Sequence, residues 1–111
     1  MKAYVINLDK SPDRYARMSE RLRNLGIPFE RVPGVDGRTM KESPLPVTAP
    51  SASFPHILTK GEIGCYLGHR RCWERIAAGN EDWGLVLEDD CVFLPKAKRY
   101  FGDFSWIPEG C

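Results

Sequence analysis

The 111-residue sequence contains no long apolar run. The first run, Ala3 to Ile6, ends at the polar residues Asn7 and Asp9. It is far too short for a signal peptide or a membrane-spanning helix, which needs about 20 apolar residues. We therefore expect no membrane span and a cytoplasmic protein.

A strong charge of either sign is also missing. The 16 Lys and Arg residues are balanced by 15 Asp and Glu residues, which leaves a net charge of +1. Proteins that bind nucleic acid concentrate positive charge on one face to neutralise phosphates. No nucleic-acid partner is therefore expected, and the length and composition fit one small globular domain.

The cysteines show neither a zinc-binding nor a disulfide pattern. Cys65, Cys72, Cys91 and Cys111 lack C-x-x-C spacing, and no secretory context accompanies them. In a helix over residues 61–78, Cys65 and Cys72 lie two turns apart, roughly 10 Å, which is beyond disulfide reach. Free thiols are expected.

What the sequence does contain begins with a β-α-β pattern. A strand over Ala3–Leu8 is rich in β-formers. Ser11 as N-cap and Pro12 at the first position start a helix that Gly26 ends, and a second strand follows at Phe29–Val32. This order predicts an α/β fold with a parallel strand pair.

Residues 33–58 predict a long irregular connection. The stretch carries Pro33, Pro44, Pro46, Pro50 and Pro55 among small polar residues. Loops of this length inside a compact domain are usually functional. We expect the part from Gly37 to about Pro55 to be mobile without ligand.

A second helix is predicted from Thr59 to about Ala78. Thr59-Lys60-Gly61-Glu62 has the T-x-x-E form of a capping box, which suffices to explain Glu62. One face consists of Cys65, His69, Cys72 and Ile76, and with Tyr66 and Trp73 beside it this predicts a wide buried face. A short final helix is expected over Lys96–Phe104.

Three consecutive acids interrupt an apolar stretch near the end of the chain. Glu88-Asp89-Asp90 follow Leu85–Leu87, which reads as a short buried strand. Open α/β sheets place ligands at the carboxyl ends of their strands. Alternate residues of an extended segment share a face, so Glu88 and Asp90 can converge on Mg²⁺ or Mn²⁺ while Asp89 points elsewhere. The alternative is a solvated strand exit with three surface acids.

Several segments carry a family resemblance by their order and spacing. They are Val5–Asp9, Phe29–Val32, Gly34–Gly37, Gly61–Leu67 and Val86–Asp90, together with Ser11, Arg14, Leu58, His69, Trp73 and Ile76. Over residues 3 to about 94 the chain resembles glycosyltransferase family 25, the bacterial lipooligosaccharide galactosyltransferases and their relatives.

The resemblance implies a truncated GT-A-like, Rossmann-like nucleotide-sugar domain, with a mostly parallel sheet flanked by helices. It implies transfer of a hexose, usually galactose, from a UDP-sugar to a saccharide or lipooligosaccharide acceptor in lipopolysaccharide biosynthesis. The Glu88-Asp89-Asp90 segment would replace the D-x-D motif, with Asp90 and Glu88 holding Mn²⁺ or Mg²⁺ on the diphosphate. A cation there stabilises the charge of the leaving group.

Further substrate-binding residues follow from the same resemblance. They are Asn7, Leu8, Asp9, Arg14, Asp36, Gly37, His69, Glu88 and Asp89. Three of them have structural alternatives: Arg14 as a surface residue, Asp36-Gly37 as a simple turn, and His69 as a satisfied core histidine.

No catalytic residue is assigned. Family members usually continue for another hundred residues or more, and the acceptor pocket and catalytic base would belong to those residues. Gly68 also replaces a serine that is common in the family. We therefore expect little sugar transfer by the isolated chain.

Two other functions remain open. One is a non-catalytic module that binds a UDP-sugar or a partner protein, and the other is a metal-dependent phosphohydrolase or nuclease that uses Glu88 and Asp90. We also expect a homodimer that covers Phe93, Leu94 and Trp106. Peripheral attachment at the inner membrane is left open.

Overall fold

The computed structural model describes residues 1–42, 48–49 and 56–110. Its strands and helices follow in the order β1 (Lys2–Asn7), α1 (Pro12–Leu25), β2 (Phe29–Pro33), β3 (Thr48–Ala49), β4 (His56–Ile57), α2 (Lys60–Ala77), β5 (Gly84–Glu88) and α3 (Arg99–Gly102). Two 3-10 turns, Gly37–Thr39 and Pro95–Lys98, complete this order. The predicted α/β class is confirmed.

Three parallel strands form the main sheet in the order β2-β1-β5. Ala3 of the central strand is opposite Phe29 on one side and Leu85 on the other. The chain thus moves from β1 to one side of the sheet and later adds β5 on the opposite side. The strand order reverses at β1, and such a reversal opens a ligand crevice at the carboxyl ends of the strands.

The two long helices cover opposite faces of this sheet. Alternate residues of a strand point to opposite faces. Ala3 and Val5 therefore pack with Met18 of α1, whereas Tyr4 packs with Cys72 of α2. The sheet is a buried layer between the two helices, which is the arrangement that the Rossmann-like expectation requires.

The ends of α1 and α2 match their sequence signals. Helix α1 starts at Pro12 and ends before Gly26, whose left-handed φ of 71° lets its N–H reach the Arg23 carbonyl. At the start of α2, the Thr59 hydroxyl accepts a hydrogen bond from the Glu62 N–H at 3.2 Å. The Glu62 carboxylate accepts one from the Thr59 N–H at 2.7 Å. The predicted capping box is confirmed.

A glycine contact joins the 3-10 turn at Gly37–Thr39 to the first turns of α2. A Cβ atom on Gly37 would lie 1.7 Å from the Lys60 carbonyl oxygen, and one on Gly64 would lie 2.5 Å from the Val35 carbonyl oxygen. Only glycine allows the two backbones to approach so closely. The turn is therefore held against the N-terminal part of α2.

One prediction for the helices is wrong. Tyr66 and Trp73 are 46% and 49% exposed and contact each other edge to face, so they do not widen the buried face of α2. The buried side of α2 consists instead of Ile63, Gly64, Gly68 and Cys72, because small residues let the helix approach the sheet. The short final helix expected over Lys96–Phe104 is present as a 3-10 turn at Pro95–Lys98 that continues into one α-helical turn at Arg99–Gly102.

The remaining expectations for the fold have mixed outcomes. The three cysteines of the described chain, Cys65, Cys72 and Cys91, are free thiols. Within residues 1–42, 48–49 and 56–110, no helix is long and apolar enough to cross a membrane. Most of the loop predicted to be mobile lies outside the described residues. Leu94 and Trp106 are exposed, and the homodimer that would cover them stays a prediction.

Candidate functional site

A cleft of about 300 Å³ lies at the carboxyl ends of the parallel strands. One side is formed by the strand exits of β1 and β5, and the other by residues 34–38 and the first turns of α2. Seven predicted residues line it: Leu8, Arg14, Asp36, Gly37, His69, Glu88 and Asp89. Because the carboxyl ends of the parallel strands meet at one edge of the sheet, residues that are distant in sequence lie together in this cleft.

The predicted residue Asp89 forms the inner end of the cleft. Its side chain is 8% exposed and forms an ion pair with Arg14 at 2.5 Å. The Asn7 side-chain amide donates a second hydrogen bond to the carboxylate at 2.7 Å. Buried carboxylates are tolerated when charged and polar partners compensate them. Asp89 therefore ties the exit of β5 to the end of β1 and to the first turn of α1.

Asn7 lies beneath the cleft, since it is 2% exposed and absent from the cleft wall. Its side-chain oxygen accepts a hydrogen bond from Arg31 at 2.9 Å, while its amide binds Asp89. Arg31 also pairs with the highly exposed Asp9 at 2.6 Å, away from the cleft wall. Asn7 and Asp9 were predicted to line the nucleotide cleft, whereas the structure gives Asn7 a supporting position.

Sequence reasoning missed the role of Arg31. Its guanidinium contacts the side chain and the carbonyl of Asn7, and thereby fixes the end of β1 to β2. The available signal was an arginine inside a short strand next to Val32, where an unpaired cation would be costly. Such a residue needs an acceptor on the neighbouring strand.

Glu88 and Asp90 differ from Asp89 in being exposed. The Glu88 side chain is 50% exposed and lines the cleft. The Asp90 side chain is 65% exposed, and its carboxylate lies 3.2 Å from Arg14 at the margin of the cleft. The extended segment expected to place Glu88 and Asp90 on one face is not found, because β5 ends at Glu88, Asp89 and Asp90 form a turn, and Arg14 contacts both of these aspartates. Cation binding by Glu88 and Asp90 stays a prediction.

His69 faces the cleft rather than the core. Its Nδ1 lies 3.0 Å from the Cys65 carbonyl oxygen, one helical turn earlier, and its Nε2 lies 4.0 Å from Glu88 Oε1. The Cys65 Sγ is 3.5 Å from the same Glu88 oxygen. Partial loss of water around the thiol and the Glu88 charge raise the pKa of Cys65 above its ordinary value.

Cys65 was not predicted as a site residue. Its spacing from His69 was the available signal, because residues at i and i+4 lie on one face of a helix.

Asp36 combines the two roles considered for it. Its carboxylate accepts hydrogen bonds from the Arg38 backbone N–H at 3.1 Å and from Arg38 Nε at 3.0 Å, which caps the 3-10 turn. It also forms an ion pair with Lys10. Asp36 is therefore a turn residue that stands on the cleft wall. Arg38 and Arg14 add positive charge to the same wall.

The chain is similar to known proteins over most of its length. A family model described as glycosyltransferase family 25 (LPS biosynthesis protein) matches residues 1–105. That range includes every residue of the described cleft.

Three relatives show the range of similar proteins. A glycosyltransferase 25 family member of Aedes aegypti is 39% identical over 103 residues, and the match covers 86% of this chain and 17% of the relative. An inactive glycosyltransferase 25 family member 3 of Mus musculus is 37% identical, with 88% of this chain and 18% of the relative covered. Procollagen galactosyltransferase 1-B of Xenopus laevis is 34% identical, with 88% and 17% covered. The chain thus spans about one sixth of the length of these relatives.

Proposed function

The chain belongs to glycosyltransferase family 25, and from this membership we propose that its cleft binds the UDP-sugar donor of a hexosyl transfer. The observation that carries the proposal is the position of the cleft at the reversal of strand order beside β1. Nucleotides bind at this point in open α/β sheets. Seven of the residues expected to contact the donor line this one cavity.

The charges on the cleft wall support a diphosphate ligand. Arg14 and Arg38 line the cleft, and guanidinium groups bind phosphate oxygens in a two-pronged manner. Arg14 is already oriented by Asp89 at 2.5 Å, so little side-chain entropy would be lost on binding. Asp36, on the wall formed by residues 34–38, offers carboxylate oxygens to the hydroxyls of a ribose.

The acids fit the divalent cation that the family implies. Asp89 is neutralised by Arg14 and Asn7, whereas Glu88 and Asp90 keep exposed carboxylate oxygens. Such hard oxygen donors suit Mn²⁺ or Mg²⁺. We propose Glu88 and Asp90 as its ligands. When bound, the cation would stabilise negative charge on the departing diphosphate.

The sugar and the acceptor are proposed by analogy. Galactose is favoured because the Xenopus laevis relative is named a procollagen galactosyltransferase. A saccharide or lipooligosaccharide acceptor agrees with the family description, which names lipopolysaccharide biosynthesis. The catalytic base that would deprotonate the acceptor hydroxyl stays unassigned.

A donor-binding module without turnover is the second candidate. The Mus musculus relative that matches this segment at 37% identity is named inactive. Family membership is therefore compatible with loss of transfer, and binding and turnover must be measured separately.

Calorimetric titration of the chain with UDP and UDP-galactose, with and without Mn²⁺, tests the proposal. We expect Mn²⁺-dependent binding that Asp90→Asn weakens by about 100-fold. The matched control is Asp82→Asn, which changes an exposed acid in the loop before β5. If Asp90→Asn binds UDP and Mn²⁺ like the parent, the metal assignment is wrong.

Turnover is measured separately as UDP release with a saccharide acceptor. Acceptor-dependent release would support the transferase. Mn²⁺-dependent binding without release would support the module, and cleavage of a phosphodiester would favour a phosphohydrolase. Absence of any UDP binding would contradict the donor site itself.

A further inference from the structure

Three side chains of different chemistry converge where α2 meets the end of β5. Cys65 and His69 lie one helical turn apart on α2, and Glu88 is the last residue of β5. One ligand atom from each residue lies within 4.8 Å of the other two. A thiol, an imidazole and a carboxylate are the three side-chain types that bind Zn²⁺ in proteins. The two elements thus place a mixed donor set on one wall of the cleft.

The imidazole of His69 is oriented as in a metal site. His69 Nδ1 lies 3.0 Å from the Cys65 carbonyl oxygen, which can only accept a hydrogen bond, and 3.8 Å from Cys65 Sγ; the tautomer with its proton on Nδ1 satisfies the carbonyl. In the neutral ring, Nε2 then presents a lone pair on the Glu88 side. Histidines that bind metals usually donate their other ring N–H to a backbone carbonyl or a carboxylate in this way.

The distance between His69 and Glu88 fits two ligands of one cation better than a direct hydrogen bond. Nε2 and Glu88 Oε1 are 4.0 Å apart, which is too long for a hydrogen bond. Bond lengths of about 2.0–2.3 Å around a tetrahedral Zn²⁺ give ligand-to-ligand distances of about 3.3–3.6 Å. The Cys65 Sγ to Glu88 Oε1 distance of 3.5 Å is already in that range.

We propose that Cys65, His69 and Glu88 form a three-ligand site for a thiophilic divalent cation of the Zn²⁺ class. The fourth position would face the cleft, since all three residues line it. On binding, the Cys65 thiol loses its proton to solvent and the thiolate sulfur bonds to the cation, so about one proton is released per ion. The site shares Glu88 with the cation site of the proposed function but takes its other two ligands from a thiolate and an imidazole, so it goes beyond that function.

The donor set distinguishes the two kinds of cation. Thiolate and imidazole ligands select Zn²⁺ and similar metals, whereas Mg²⁺ and Mn²⁺ prefer carboxylate and water. Loss of Cys65 should therefore remove Zn²⁺ binding and leave the preference of the acids for Mn²⁺.

Calorimetric titration of the full chain with Zn²⁺ alone tests the inference. We expect one ion per chain, about one proton released, and a loss of affinity of about 100-fold in Cys65→Ser and in His69→Asn. Titration with Co²⁺ adds a spectroscopic readout, because a bound thiolate gives a sulfur-to-cobalt charge-transfer band. That band should vanish in Cys65→Ser. The matched control is Cys91→Ala, which removes a thiol outside the cleft and should retain both signals.

The inference is overturned if the parent binds Zn²⁺ no better than Cys65→Ser, or if the cobalt–thiolate band survives that substitution. Circular dichroism of each variant shows whether it is folded, and Cys65→Ala provides a second, smaller replacement. No nucleotide is present in these titrations, so a failure of UDP binding would leave their result unchanged. Retained UDP binding without Zn²⁺ binding would overturn this inference alone.

Discussion

The carboxylates of Asp89 and Glu88 follow each other along the chain but lie in opposite surroundings. Asp89 is buried and joined to Asn7 and Arg14 at 2.7 and 2.5 Å. Together with Arg31 these residues form what we call the polar anchor. Glu88 is half exposed beside Cys65 and His69, and these three residues form what we call the open wall. The anchor satisfies its polar groups internally, whereas the open wall leaves its ligand atoms available.

This contrast explains how one short acidic segment can serve both the fold and a ligand. Glu88 is the last residue of β5, whereas Asp89 begins the turn that follows, so the two side chains meet different neighbours. The buried acid is compensated by fixed partners, and the cost of its desolvation is offset within the fold. The exposed acids need no such compensation and can exchange water for a cation. The anchor should therefore govern stability, and the open wall should govern binding.

Replacement of Asp89 is the largest expected effect on stability. Asp89→Ala leaves Arg14 and Asn7 without their shared partner and should lower the free energy of unfolding by about 3–4 kcal/mol. Glu88→Ala, at the neighbouring position on the open wall, should change it by less than about 0.5 kcal/mol. Urea unfolding followed by circular dichroism measures both. Equal losses in the two variants would remove the distinction between anchor and open wall.

The next largest effect on stability is expected at Gly64, where α2 lies against the backbone of residues 34–38 on the other side of the cleft. Gly64→Ala puts a methyl group 2.5 Å from the Val35 carbonyl oxygen, so backbone must move. We expect a loss of about 2–3 kcal/mol, at the upper end of overpacking costs. Gly61→Ala is the control on the same helix, since its methyl group would lie 3.8 Å from the Thr59 hydroxyl oxygen. It should be neutral or slightly stabilising because alanine favours helix.

Both alanine variants can be compared by urea unfolding and by UDP titration. A stable Gly64→Ala variant with unchanged nucleotide binding would show that the close approach of the turn to α2 is unimportant for the cleft. Weakened binding in Gly64→Ala alone would extend the comparison to a third region, the wall formed by residues 34–38.

Much of the fold could be predicted because its signals are local. The capping box at Thr59, the proline at position 12 and the left-handed stop at Gly26 depend on residues close in sequence. The position of the site residues followed from one general rule, which is that open α/β sheets bind ligands at the carboxyl ends of their parallel strands. That rule sufficed to bring Leu8, Asp36 and Glu88 to one cleft.

The parts that could not be predicted depend on contacts between distant residues. Arg31 reaches Asn7 across 24 positions, and nothing near either residue specifies that pair. The exposure of Tyr66 and Trp73 depends on how far the three-stranded sheet extends beneath α2. The role of Cys65 required the end of β5 to approach a particular turn of α2. Helical periodicity places Cys65 and Cys72 on the same face of α2. It could not show that Cys65 faces the cleft whereas Cys72 is buried against the sheet.

The smallest expected effect is the pH dependence of stability that comes from Cys72, the buried thiol on the same helix as Cys65 of the open wall. Cys72 is fully buried, and desolvation raises the pKa of its thiol from 9.0 to about 11. Between these values the unfolded chain loses the proton while the folded chain keeps it. Stability from this group is therefore complete below pH 9 and falls as the pH rises towards 11. The expected loss by pH 11 is about 2 kcal/mol, since each unit of pKa difference is worth about 1.4 kcal/mol.

Urea unfolding of the parent and of Cys72→Ala from pH 7 to pH 11 isolates this contribution, because other groups titrate in both proteins. The variant lacks the thiol, so the advantage of the parent should shrink as the pH rises above 9. At pH 7, Cys72 should also resist alkylation in the folded chain, whereas the exposed Cys65 should react first. A constant difference in stability across this range, or equal alkylation of the two thiols, would show that the interior of α2 is as open to water as the cleft.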